Sequence, residues 1–357
     1  MVTNGNELTL LVTGAGAPGI WGTIHALRHN PDGRPVRIIG VDTQAEVAGA
    51  FLVDKFYTVP EPENSGYIEA LVDISKRENV FAILPQTTRE IVTLSDSLAK
   101  LQEEGIRVMV SPAPGIAAAN DKSTVMDVFQ RLGLPTAAFR RAHTEGELVA
   151  AVRELGYPHV PVVIKPPVSN GMRGVRIVVT NAWDVHRFLM EKPQGLEISL
   201  NELIAILRRG AWPELLVMEY LPGVEYTVDA FIGSHFSVAV PRQRESIRSG
   251  ITFHSRTDMR KDLAEYTLAA GKELGLQYVF GFQFKMSCDG VPKVLECNPR
   301  IQGTMVASVF SGANVIWFGV RELLGDPITG LNEPLRESEF LRYWGGISCD
   351  RGAYAEI

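Results

Sequence analysis

Two lysines, a glycine-bearing loop, a pair of acids around a Pro-Gly step and a strand of mixed carboxylate and carboxamide residues are where this sequence could do chemistry. Lys165 closes the apolar run Val162-Val163-Ile164, and two prolines follow it. A lysine ending a buried strand is costly unless an anion pairs with it. Lys122 lies in Asn120-Asp121-Lys122-Ser123, at the start of an expected helix. Beyond Lys165, Ser169-Asn170-Gly171-Met172-Arg173-Gly174 offers backbone N–H groups, a hydroxyl and a guanidinium, which suits a loop that covers phosphates. The competing reading is a solvated lysine beside an ordinary hairpin. Glu219-Tyr220-Leu221-Pro222-Gly223-Val224-Glu225 reads as a strand, a turn and a second strand. The backbone of Glu219 and Leu221 could pair with an adenine edge there and Glu225 could accept from ribose hydroxyls, or the acids are simply solvated.

A hairpin is expected around Asp289-Gly290, between Phe280–Lys285 and Pro292–Pro299. A two-residue turn places Gln283 opposite Glu296, and Asn298 shares their face by the period-two rule. Lys285 and Val294 fall on that side, and Phe282, Phe284, Leu295 and Cys297 on the other. One carboxylate and two amide oxygens on one face are hard ligands suited to Mg²⁺. Arg300, in Asn298-Pro299-Arg300, could reach a terminal phosphate. The alternative is a polar solvent face. Arg242, Arg244 and Arg248 crowd the stretch Pro241–Gly250, either to neutralise a phosphate or substrate carboxylate or as a solvated loop. Gly14-Ala15-Gly16-Ala17-Pro18-Gly19 has the spacing of a dinucleotide fingerprint, with Asp42 where a ribose-binding acid would sit. Pro18 removes one phosphate donor, and the other reading is a sharp strand-to-helix turn serving a different ligand. The seven histidines show no metal spacing, and neither G-x-S-x-G nor a P-loop Gly-Lys-Ser/Thr occurs.

The elements that must position these residues change character along the chain. Short apolar runs at Leu8–Thr13, Val36–Val41, Ala82–Leu84 and Arg107–Val110 alternate with helical patterns at Ile20–His29, Tyr67–Glu78 and Thr88–Glu104, which implies a parallel, doubly wound sheet. A helix over Asn120–Leu132 starts at an Asn or Asp cap and stops at Gly133 and Pro135. Strands at Val160–Lys165 and Val175–Thr180 flank the Gly-bearing loop. Helical stretches at Trp183–Glu191 and within Gln194–Gly210, a strand at Leu215–Tyr220 and strands at Glu225–Ile232 and Phe236–Val240 follow. A helix at Lys261–Leu274 precedes the hairpin, and Val315–Leu324 forms the last one. No internal repeat or low-complexity stretch is found.

Composition bounds the class. The 357 residues predict two or three domains. Apolar residues make up 45% and charged residues 21%, as in globular proteins, which excludes disorder or coiled coil as a global description. A net charge of −6 argues against a sequence-independent nucleic-acid binder. Three cysteines without C-x-x-C spacing suggest a reduced chain with no disulfide framework or structural zinc. No apolar run approaches the ~18 residues of a membrane span, and no basic stretch marks a signal peptide. A cytoplasmic location, with no nucleic-acid or membrane partner, is therefore expected.

The order and spacing of these motifs resemble the ATP-grasp superfamily, and most nearly a single unit similar to one synthetase half of the carbamoyl-phosphate synthase large chain. The resemblance covers roughly Leu8 to Leu324. It implies a mixed α/β and α+β protein: a Rossmann-like pre-ATP-grasp domain at 1–112, an ATP-grasp domain at 113–330 with a mobile small subdomain at about 136–215, and a C-terminal segment at 331–357. In that family ATP lies between two α+β subdomains. By resemblance, Lys122 and Lys165 bind its phosphates, and Ser169, Gly171 and Gly174 form the covering loop. Glu219 and Leu221 contact adenine, Glu225 holds the ribose, and Gln283, Glu296 and Asn298 hold Mg²⁺, with Mn²⁺ as an alternative. Arg300, with Lys165, stabilises the transferred phosphoryl group. The family reaction passes the γ-phosphoryl to a carboxylate, and an amine or related nucleophile then displaces phosphate from the acyl phosphate. The cations and metal ligands without a nucleophile–base pair agree with such a phosphoryl transfer.

Gln283 stands where many members carry an acid, although the carbamoyl-phosphate type also uses glutamine. The chain has one synthetase-like unit and no glutamine-hydrolysing domain. The rim of the acceptor site is assigned to Gly14–Gly19, Gly16 among them, and Pro85-Gln86-Thr87, with Arg244 and Arg248 as further substrate contacts. The expected partners are a small-molecule carboxylate and an amine, and a homodimer follows from family and base rate. The competing functions are an NAD(P)-dependent oxidoreductase using the Gly14–Gly19 turn, and a non-catalytic nucleotide-binding scaffold.

Overall fold

The computed structural model describes residues 7–356 apart from 170, 181–183, 191–194, 344 and 351–352. Asn170, Trp183, Glu191 and Gln194, which the sequence reading placed in the loop and the following helices, and Trp344 of the tail lie outside the described residues. The chain divides into two units. One comprises 1–119, 225–283 and 296–357, and the other comprises 120–224 and 284–295.

The first unit opens with the expected parallel sheet. Its strands are β1 (Leu8–Val12), β2 (Val36–Asp42), β3 (Lys55–Thr58), β4 (Ala82–Leu84) and β5 (Arg107–Val108), in the order β3-β2-β1-β4-β5. The order reverses between β1 and β4, so the crevice of a doubly wound sheet opens beyond their carboxyl ends. Helices α1 (Ile20–Arg28), α2 (Gly49–Leu52), α3 (Tyr67–Glu78), α4 (Thr88–Asp96), α5 (Leu98–Glu103) and α6 (Ala113–Asn120) intervene. The expected helix over Thr88–Glu104 is interrupted at Ser97, whose φ of −100° and ψ of 7° leave the helical region. Strand β3 and helix α2 are too short for periodicity to reveal. Both sheet faces are covered. Leu11, Ile39, Ile83, Leu71 and Ile91 pack on one side, and Leu10, Ile38, Leu27, Trp317 and Phe231 on the other.

The second unit starts with α7 (Lys122–Arg131), capped as expected by Asp121, whose carboxylate accepts from Ser123 N and Thr124 N. Strands β6 (Phe139–Ala142), β7 (Val162–Lys165), β8 (Arg176–Val178), β9 (Glu197–Ile198) and β10 (Leu215–Glu219) form a sheet in the order β6-β10-β7-β8-β9. Helices α8 (Glu145–Glu154), α9 (Val185–Met190) and α10 (Leu200–Leu207) join them. Leu148, Val152, Val162, Ile164, Leu203 and Val217 make its core.

The remaining strands are β11 (Glu225–Ile232), β12 (Ser237–Arg248), β13 (Ile251–Thr257), β14 (Tyr278–Met286), β15 (Pro292–Asn298) and β16 (Glu339–Leu341), in a sheet ordered β15-β14-β11-β12-β13-β16. Helix α11 (Lys261–Glu273) precedes β14, α12 (Ala307–Phe310) and α13 (Val315–Leu324) follow β15, and β17 (Ile347–Asp350) pairs with β18 (Ala353–Glu356). Here the structure corrects a reading. Pro241–Gly250 is not a solvated loop, because most of it belongs to β12, with Arg242 opposite Thr227 and Arg244 opposite Glu225. Charged residues persist in this strand because cross-strand acids partner the buried guanidiniums.

The hairpin turn also differs. Ser287 N donates to Val291 O and Gly290 N to Ser287 O, with Gly290 at φ +77°. The loop therefore has three residues, and its last one occupies the left-handed region open to glycine. The added residue reverses the expected facing near the turn: Val294 is buried and Leu295 is half-exposed. Leu295 and Glu296 are both half-exposed in succession and Cys297 is buried, so the alternation changes phase there. Glu296 and Asn298 thereby regain the partly open face.

Candidate active site

In the second unit the two lysines are both buried, each about 5% exposed, and neither is the solvated lysine of the competing reading. Lys122 Nζ donates to Ser169 O at 2.7 Å and to Ser169 Oγ at 3.3 Å. Lys165 Nζ donates to Leu295 O at 3.0 Å. Lys122 N also donates to Pro167 O, so the start of α7 is tied to the segment after β7. Gly171, Met172 and Gly174 all have positive φ (59°, 61° and 76°). At Gly174 a Cβ would lie 2.6 Å from Pro166 Cδ, so only glycine fits there. Glu219 is ion-paired with Lys293, and its N–H donates to Ala138 O. Its amide proton is thus spent, and Leu221 is buried beside it. Gly223 N donates to Met286 O and Met286 N to Val224 O, which stitches the Pro-Gly step onto β14.

In the first unit the carboxyl end of β15 meets the Arg300 guanidinium. Asn298 Nδ2 donates to Glu296 Oε1 at 3.3 Å, and Asn298 Oδ1 accepts from Arg300 Nη2 at 3.2 Å. Arg300 also donates to Thr88 Oγ1 at 3.1 Å and to Ile301 O at 2.9 Å. All three acceptors are neutral, and Arg300 makes no ion pair among the described residues. Burial pulls its pKa down, while the nearby Glu296 and Glu90 charges oppose that shift. Gln283 is half-buried on the strand beside it. Arg244, buried, donates to Glu225 Oε2 at 2.9 Å, to Thr252 Oγ1 and to Gly250 O. Burial lowers its pKa, opposed by Glu225. Arg248 is exposed at the end of β12, its guanidinium 4.8 Å from the Phe253 ring centre.

The glycine turn after β1 is committed to its own fold. Ala15 N donates to Val41 O, Gly16 N to Asp42 Oδ2 at 2.7 Å and Ala17 N to Gly14 O. Asp42 Oδ1 also accepts from Gln44 N. The turn's amides and the acid that would hold a ribose are thus engaged with each other. The helix behind it leaves no space either, because a Cβ on Gly19 would lie 2.5 Å from Gly303 Cα. The dinucleotide reading has no support, and the Gly16 N–H is engaged by Asp42 in this structure.

Glu90, at the β1/β4 crevice, escaped the sequence reading. Glu90 accepts from Thr13 Oγ1 at 2.8 Å and from Thr87 N at 3.1 Å, and burial raises its pKa against those bonds. The Thr87-x-x-Glu90 capping box was a visible signal. Gln86 accepts from Thr23 Oγ1 at 2.9 Å while its Nε2 is buried without a partner, as is the hydroxyl of Tyr67. Arg342 Nη1 and Nη2 donate to Pro18 O and Gly303 O, both at 2.8 Å, which packs the tail against the turn after β1.

Among the described residues no group of three or more His, Cys, Asp or Glu could hold a metal. A site built on Glu296 needs the amide oxygens and ligand oxygens to complete it. One carboxylate beside carboxamides is a donor set that fits Mg²⁺, which takes few protein ligands and shares substrate phosphates.

Residues 211–340 match the family described as ATP-grasp in the biosynthetic pathway with Ter operon. Residues 10–109 match the PylC-like N-terminal domain. The carbamoyl phosphate synthase large chain of Agathobacter rectalis is 26% identical over 293 residues, which is 78% of this chain and 25% of that protein. The chain therefore spans about a quarter of the length of this relative. The biotin carboxylase domain dimer of Hydrogenobacter thermophilus 2-oxoglutarate carboxylase, solved with MgADP, ADP and bicarbonate, superposes with a TM-score of 0.69 at 18% identity, over 93% of this chain and 73% of that one. N5-carboxyaminoimidazole synthetase of Staphylococcus aureus, solved with ADP, gives 0.68 at 13%, over 94% and 82%. At these identities the two structures establish the fold. No described helix is long and apolar enough to cross a membrane. Residues 211–340 of this chain are thus similar to an ATP-grasp family and residues 10–109 to the PylC-like N-terminal domain.

Proposed function

We propose that the protein is an ATP- and Mg²⁺-dependent carboxylate–amine ligase, ADP-forming and acting through an acyl phosphate, in the manner of carbamoyl-phosphate synthase. The observation that carries this reading is Arg300. A partly buried guanidinium held by three neutral oxygens, two residues from Asn298 and four from Glu296, keeps its charge available for an anion.

Each residue then has a defined task. Lys122 and Lys165 supply positive charge for phosphates from positions fixed by α7 and β7. Glu296, Asn298 and Gln283 are the residues that would hold Mg²⁺, which when bound neutralises phosphate charge. Asn298 links Glu296 to Arg300, so the carboxylate and the guanidinium keep a fixed spacing. Arg300 orients the acceptor carboxylate and stabilises charge on the transferred group. Arg244 fixes Glu225, so the ribose role of that acid uses its remaining acceptor capacity. Bicarbonate, present in the biotin carboxylase structure, is the acceptor to try first. A homodimer is the proposed assembly, checked by light scattering.

The test is calorimetric titration with a non-hydrolysable ATP analogue, with Mg²⁺ and with EDTA, against an NADH control. It is followed by ADP release with bicarbonate and a panel of carboxylates and amines. Mg²⁺-dependent nucleotide binding and carboxylate-stimulated ADP release support the ligase. NADH binding alone overturns it, and nucleotide binding without stimulated release by any carboxylate leaves a scaffold.

A further inference from the structure

We propose that Gln302, seated on the bare backbone of Gly281 and anchored on the buried Asp229–Arg242 pair, is the positioning residue that holds the Arg300 segment in its working place. The proposal rests on the role of Arg300 given above and adds the device that sets its position.

Asp229 on β11 and Arg242 on β12 are both fully buried. Arg242 grips the carboxylate with two bonds, Nε to Oδ2 at 2.8 Å and Nη2 to Oδ1 at 3.1 Å. Such a pair is a poor source of net stability, since desolvation offsets most of the attraction. Its distinctive property is a fixed planar geometry. Both partners extend that geometry to the segment after Arg300. Gln302 Nε2 donates to Asp229 Oδ1 at 3.3 Å, and Arg242 Nη2 donates to Thr304 Oγ1 at 3.3 Å. A third arm, Arg242 Nη1 to Ser255 Oγ at 3.2 Å, fixes the guanidinium to β13.

Gly281 explains how Gln302 reaches the pair. A Cβ there would lie 1.5 Å from Gln302 Nε2 and 2.8 Å from Val228 O. The carboxamide therefore lies flat on the β14 backbone, in the space a side chain would fill. Arg300 itself is held by three neutral contacts. Its place thus depends on where residues 301–305 are held; Gln302 and Thr304 tether that stretch by their side chains, and Gly303 O accepts from Arg342.

The test uses the full-length protein and the variant Gln302→Leu, which keeps the volume and removes the donor. Two readouts are taken: bicarbonate-dependent ADP release with Mg-ATP, and amide hydrogen exchange across 299–306. We expect kcat to fall at least tenfold, KM for ATP to stay within twofold, and exchange across 299–306 to quicken at least tenfold. In an Arg300→Lys background, adding Gln302→Leu should cost little more, because both changes remove one function. Equal losses in the two backgrounds would overturn the proposal, as would unchanged kcat and exchange. Thr304→Val, which removes the second tether, should shift exchange in the same direction and serves if Gln302→Leu fails to fold. If the wild-type protein releases no ADP with any carboxylate, the ligase reading fails by itself. Exchange then still decides the anchor: unaltered protection in Gln302→Leu refutes it.

Discussion

Gly19 and Gly303 touch, yet the structure makes only one of them indispensable. A Cβ built on Gly19 would lie 2.5 Å from Gly303 Cα and 3.2 Å from its carbonyl carbon and oxygen. A Cβ built on Gly303 would find Gly19 atoms no nearer than 3.9 Å. The first contact is backbone against backbone, so no rotamer change relieves it. One chain must retreat by roughly an ångström, which falls in the range of overpacking costs of about 1–3 kcal/mol. Gly303→Ala should be nearly neutral, since its φ lies outside the left-handed region. The assay is urea unfolding of both variants beside the wild type. A midpoint loss equivalent to about 2 kcal/mol, or roughly thirtyfold in the folded-to-unfolded ratio, is expected for Gly19→Ala alone. Equal effects for both substitutions, or no effect for Gly19→Ala, would refute the packing argument.

Three further outcomes are expected. Glu296→Ala should abolish Mg²⁺-dependent ADP release while leaving the urea midpoint close to wild type; full turnover would refute the metal assignment. Gly223→Ala places a Cβ 2.6 Å from Met286 Cβ and 2.7 Å from Met286 O, so it should break the Gly223–Met286 bond and cost about 1–3 kcal/mol, read by thermal unfolding. Glu78 receives Lys55, Tyr57 and Arg37, and these partners, Lys55 foremost, hold its carboxyl down at about 2. A carboxylate depressed in the folded state stabilises above its unfolded pKa near 4.5 and loses that contribution as pH falls toward 2. Wild type and Glu78→Gln should therefore differ most at neutral pH and converge near pH 2, as followed by urea midpoints across that range.

The alternation of short apolar runs with helical patterns revealed the first sheet because each signal is local: Leu8–Val12 and Val36–Asp42 are short, largely buried strands. The cap at the start of α7, Asn120 or Asp121 by sequence and Asp121 in the structure, was legible for the same reason. What could not be read depends on partners distant in sequence. Arg242 and Arg244 look solvated until β11 brings Asp229 and Glu225 beside them. Asp289-Gly290 is compatible with two- and three-residue loops, so the facing of Val294 and Leu295 could not be settled by the turn signal. Glu296 and Asn298 nevertheless reached the expected face, because the phase change after Leu295 restores it. Gln302 carries no signal at all, since its bond to Asp229 requires Gly281 to lie beneath it.

The Arg342 contacts to Pro18, Gly303 and Thr252 have a consequence for the order of events during synthesis. The turn after β1 emerges from the ribosome long before the guanidinium that bridges it to two other segments, 324 residues further along the chain. At about 5–20 residues per second, roughly twelve to forty-seven seconds separate the end of the parallel sheet from the arrival of Arg342. During that interval the opening turn stands without its latch, and β13 waits for β16. Nascent chains stalled before this residue should carry a first unit whose N-terminal layer is cleaved by protease, and release past it should close the window.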